Sequence, residues 1–67
     1  MIYTVEWNSM HGQYTVAFCT SEARAREIFD RFVPDPGHVG WLYLKQYEED
    51  ADLALGEAKQ LAERRIE

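Results

Sequence analysis

Three groups of residues in this chain have side chains that chemistry uses. His11, Cys19, Asp35 and His38 are of the types found in nucleophilic, acid–base and metal sites; Trp41, Tyr43 and Tyr47 are the large rings of protein-binding surfaces; and Glu48, Glu49, Asp50 and Asp52 form a run of acids. The first group lacks the spacing its chemistry needs. There is no C-x2-C or H-E-x-x-H arrangement, so no metal, cofactor or catalytic residue is expected. Cys19 just before a helix start is where a thiol would be activated, but a small strand residue within a sheet is the simpler reading. A pocket of the roughly 300 Å3 that a small molecule needs is also hard to build in so short a chain. The expectation is a protein that is not an enzyme.

The second and third groups are adjacent. Trp and Tyr supply much of the binding energy at protein interfaces, and neighbouring carboxylates steer association toward a basic surface. Acids at a helix start are favourable in their own right, which accounts for one or two of the four. Trp41, Tyr43, Tyr47, Glu48, Glu49, Asp50 and Asp52 are therefore the candidate partner-binding residues.

Elements able to position them are legible in the hydropathy pattern. Residues Ile2 to Trp7 alternate, with Tyr3, Val5 and Trp7 on one side and Ile2, Thr4 and Glu6 on a wetter one, as a half-buried strand does. Tyr14 to Cys19 resumes the alternation after a turn-rich stretch, Asn8 to Gln13, that reads as longer than a two-residue turn, with Gly12 at positive φ. Ser21 or Thr20 caps a helix in which Ala25, Ile28, Phe29 and Phe32 form one stripe, ending before Pro34. Its charges form an exposed ladder, Glu22 with Arg26, Arg26 with Asp30 and Glu27 with Arg31, while Arg24 has no acid four residues away. Val39 to Tyr47 reads as a third strand, with Leu42 and Leu44 facing opposite to Trp41, Tyr43, Lys45 and Tyr47. From Glu49 onward, Ala51, Ala54, Leu55, Ala58, Leu61 and Ala62 suggest a second helix with Asp50 as cap and Arg64 and Arg65 at its end.

A right-handed crossover through the first helix puts the third strand beside the first. The expected fold is α+β: a single domain, residues 1–67, in a ββαβα arrangement with a three-stranded antiparallel sheet in the order 2-1-3. The first helix covers Tyr3, Val5, Trp7, Val16, Phe18, Leu42 and Leu44. The C-terminal helix packs either on the sheet, covering the aromatic face, or on a partner, leaving that face for binding. Both readings stay open.

The chain has 67 residues, nine of them aromatic, with twelve acids against seven basic residues and a net charge of −5. That charge disfavours direct binding to a phosphate backbone. One cysteine allows no internal disulfide, the first residues lack a signal-peptide pattern and no apolar run spans a membrane, so a cytoplasmic protein is expected. In size, acidity and element order the chain is similar to small accessory proteins of phages and mobile elements, some of which inhibit nucleic-acid-handling machinery. That resemblance implies a stoichiometric inhibitor of a larger protein with a basic, nucleic-acid-binding surface. The alternative is a small structural homodimer, through which domains of this size gain stability.

Overall fold

The computed structural model describes residues 1–48 and 58–67. Two β-rich segments, β1 (Ile2–Ser9) and β2 (Gly12–Cys19), form a hairpin; α1 (Glu22–Arg31) follows, then β3 (Gly40–Tyr47) and β4 (Ala58–Ile66). All three strand pairings are antiparallel and the sheet order is β2-β1-β3-β4. The crossover through α1 thus places β3 beside β1, and the described residues form an α+β fold with α1 on one sheet face.

Both strands of the hairpin run further than the alternation of large side chains suggests. Ser9 pairs with Gly12, leaving only Met10 and His11 in the turn. The Ser9 hydroxyl holds this turn by accepting from the His11 N–H (3.1 Å) and donating to the Gly12 carbonyl (3.3 Å). Gly12 has φ 126°, a conformation that side chains with a Cβ rarely adopt. The connection is therefore a two-residue turn, closed by polar residues that hydropathy does not register as strand.

A bulge in β2 changes which side chains face the helix. Val5 pairs with Ala17 but Glu6 pairs with Thr15, so Val16 is the extra residue. Beyond it, Ala17 and Cys19 share the helix side with Val5 and Tyr3, and Phe18 turns to the other face, 75% exposed. Phe18 is thus not part of the core beneath α1.

Helix α1 begins at Ser21, whose hydroxyl accepts from the Arg24 N–H at 3.3 Å, and ends at Phe32 ahead of Pro34. It buries Ala25 and Phe29 against Val5, Trp7, Leu42 and Leu44, with Ile28 and Phe32 packed alongside. Of the expected ladder, Arg26–Glu22 (3.0 Å) and Arg31–Glu27 (3.0 Å) form, and Arg24 finds Glu27 three residues on at 3.1 Å. The close approach of β3 to β1 is set by Gly40, where a Cβ would run into the Asn8 carbonyl oxygen, the Ser9 side chain and the Trp7 ring.

The C-terminal segment corrects the expected helix. Ala58–Ile66 is a fourth strand paired along the whole of β3, from Tyr47 opposite Ala58 to Gly40 opposite Ile66. Its residues are good helix formers, but the advantage is only a few tenths of a kcal/mol per residue. Pairing satisfies the second edge of β3 and packs Leu61, Ala62 and Ile66 against the core, which an alanine-rich stripe cannot match. The remainder of the expected second helix, residues 49–57, lies outside the described residues.

Arg64 shows what its segment gains as a strand. Its guanidinium donates to the carbonyls of Phe29 (2.7 Å), Asp30 (3.3 Å) and Phe32 (3.0 Å), groups that the end of α1 leaves without intrahelical partners. Arg64 therefore does not end a helix of its own, as the sequence suggests, but caps α1 from across the sheet.

Candidate functional site

The sheet face opposite α1 collects the aromatic residues. Alternation and register place Ile2, Thr4 and Glu6 of β1, Phe18 of β2, Trp41, Tyr43, Lys45 and Tyr47 of β3, and Glu63 and Arg65 of β4 on this side. Among the described residues no helix or strand packs on it. Phe18 is 75% exposed and Trp41 38%, whereas Leu42 and Leu44 on the other side are fully buried.

The two cations of this face lie over its rings, and Arg65 also pairs with Glu67 at 2.8 Å. The Arg65 guanidinium lies 5.5 Å from the centre of the Trp41 ring, and the Lys45 ammonium 5.6 Å from that of Tyr43, both within cation–π range. Near the sheet centre, Glu6 accepts hydrogen bonds from the Thr4 and Tyr47 hydroxyls, each at 2.7 Å, and pairs with Lys45 at 3.3 Å. Burial pushes the Glu6 carboxyl up, but the bonds from Thr4 and Tyr47 together with the Lys45 charge outweigh it and hold the group below its ordinary value. Burial, then the bond to Glu6, raises the Tyr47 phenol above its own. The face is therefore a rigid polar centre flanked by rings, suited to hydrogen bonding and apolar contact.

Trp41, Tyr43 and Tyr47 are brought together on this face as their spacing indicates, although Tyr47 is engaged with Glu6. Glu48 is exposed at the end of β3; Glu49, Asp50 and Asp52 lie outside the described residues. Hydropathy missed Phe18, because nothing in β2 announces a bulge. The Glu6 network was within reach: Glu6 on the wetter side of β1, combined with the 2-1-3 order, already places it against β3.

His11 and His38 stack on each other, ring centres 4.2 Å apart and planes at 19°, joining the hairpin turn to the loop before β3. Cys19 stands at the opposite end of β2 from that turn, about 23 Å along a strand of this length. A cysteine–histidine nucleophilic pair does not form. Among the described residues, no three His, Cys, Asp or Glu side chains are grouped so as to hold a metal ion. No helix of these residues is long and apolar enough to cross a membrane. Compared with known families, curated proteins and solved structures, the chain matches none.

Proposed function

We propose that this protein binds a larger protein stoichiometrically through the sheet face opposite α1, with Trp41 and Tyr43 as anchors and Phe18 at the rim. The observation that carries this reading is the uncovered placement, among the described residues, of Phe18 and Trp41 on one face. Exposed rings gathered on one side of a small protein favour a partner over bulk water.

The distribution of charge supports a basic partner. Residues 48–57, which join β3 to β4, contain Glu48, Glu49, Asp50, Asp52 and Glu57 and no Lys or Arg. Elsewhere seven acids balance seven basic residues, so this one segment carries the whole net charge of −5. Such a concentrated field speeds approach to a positive surface, and the rings supply contact once docked. On this reading the protein is an inhibitor of the kind found among phage and mobile-element accessory proteins, occupying a surface that otherwise holds nucleic acid.

The test is capture by the tagged full-length chain from an extract of its native or host cell. One stoichiometric protein, displaced by added DNA or RNA, is the expected catch. Replacing both Trp41 and Tyr43 by Ala should weaken that capture by about 30-fold or more, as loss of an interface hot spot does, with little change in melting temperature. Capture undiminished by the double variant would overturn the assignment of the face.

A further inference from the structure

The two edges of the sheet are not defended alike. Strand β4 carries four charged residues along its nine, Lys59, Glu63, Arg64 and Arg65, which is how natural edge strands resist pairing with other chains. Strand β2 is eight residues long and reads Gly-Gln-Tyr-Thr-Val-Ala-Phe-Cys, with no charge and no proline. Each edge has a bulge, so bulging does not distinguish them. Tyr14 and Phe18 also stand 56% and 75% exposed on β2.

We propose that β2 is a self-association edge, at which a second copy of this chain adds its own β2 antiparallel to form a continuous eight-stranded sheet. An uncharged strand suits a copy of itself, since residues near the two-fold axis face their own copies and any charge there would meet its own sign. In sequence, the acidic stretch lies between Tyr47, the end of β3, and Ala58, the start of β4, the two strands farthest from β2. In the paired sheet the two β3 strands lie five strand spacings apart, about 24 Å, well beyond the roughly 8 Å over which salt screens charge.

The symmetry has a geometric consequence. A two-fold axis perpendicular to the sheet keeps both α1 helices on one side and both aromatic faces on the other. The dimer therefore presents a doubled aromatic face. This pairing is separate from the docking of a larger protein and stands or falls on its own observations.

The experiment is sedimentation equilibrium of the full chain over about 1 to 500 μM, the upper end being where weak strand pairing is populated. A species of twice the 7.9 kDa monomer mass is expected, with amides of β2 gaining protection from hydrogen exchange as concentration rises. Thr15 is exposed near the middle of β2, opposite Glu6 of its own β1, so a lysine there is tolerated by the monomer. Thr15→Lys should weaken the dimer by about tenfold or more through like-charge opposition, and Gln60→Lys on β4 should leave it unchanged. A chain monomeric throughout the range overturns the proposal. So does a dimer indifferent to Thr15→Lys but lost on Trp41→Ala, which would mark face-to-face packing.

Discussion

Along β3, Leu42 and Leu44 are wholly enclosed, while Trp41 and Tyr43, each one residue away, stand on the opposite face among charged groups. The face toward α1 is closed by shape: Val5, Trp7, Ala25, Phe29 and the two leucines fill it, and the Trp7 and Phe32 rings meet at 5.3 Å. The other face is ordered by directional bonds centred on Glu6. One face depends on volume and tolerates no gap; the other depends on donors, acceptors and charge, and can exchange some of them for a partner's. Alternation lets a single strand serve both without compromise.

The sharpest way to break this comparison is to remove volume from each side of the same strand. Leu44→Ala should cost about 2 to 5 kcal/mol, the range for truncating an enclosed leucine. For a chain of 67 residues that is most or all of the stability, so urea denaturation should begin from an already unfolded baseline. Trp41→Ala, on the face argued to be open, should cost less than about 1 kcal/mol. Similar losses for the two would mean that Trp41 is core and that its face is covered in the native state.

A smaller effect is expected where the two layers are tied together by a polar side chain. Arg64→Met keeps the aliphatic stem but removes the donors that reach the carbonyls of Phe29, Asp30 and Phe32. A loss of about 2 kcal/mol is expected, as for hydrogen bonds made by a charged group. Faster hydrogen exchange in the last turn of α1 should accompany it. A loss below about 0.5 kcal/mol would mean that water serves those carbonyls as well as Arg64 does.

Arg64 also marks the boundary of what the sequence makes legible. Local patterns locate β1, β3 and α1 with its Ser21 cap, because each is set by neighbours within a few residues. The 2-1-3 order follows from crossover handedness, and alternation along β3 gives the shared face of Trp41, Tyr43 and Tyr47. The nature of Ala58–Ile66 is not local: helix-forming residues become a strand because β3 has an edge to satisfy and α1 has carbonyls to cap, both distant in sequence. Phe18 is lost to the same cause, since a bulge of one residue reverses every side chain beyond it and is specified by pairing with β1.

The finest test of the contrast between faces is chemical, since the open face is centred on the Glu6 carboxyl. The folded chain holds the Glu6 carboxyl below its ordinary value, so the stability it contributes is complete above the pKa of the unfolded carboxyl and is lost as pH falls through the lower folded one. The Tyr47 phenol is raised, so its contribution is complete below the unfolded pKa near 10 and is lost as pH rises through the folded value. Glu6→Gln replaces the carboxylate by a group that can accept from Thr4 or Tyr47 but does not titrate and does not attract Lys45. About 1 kcal/mol should be lost at neutral pH, where a hydrogen-bonded and partly buried charge is replaced by a neutral isostere. The difference between variant and wild type should shrink as pH falls below the ordinary carboxylate range, because the wild type then loses what the variant already lacks. Unfolding free energies measured from pH 7 to pH 3 read this directly. Parallel curves would mean that the Glu6 cluster forms no more readily in the folded chain than in the unfolded one, leaving the open face held by its rings alone.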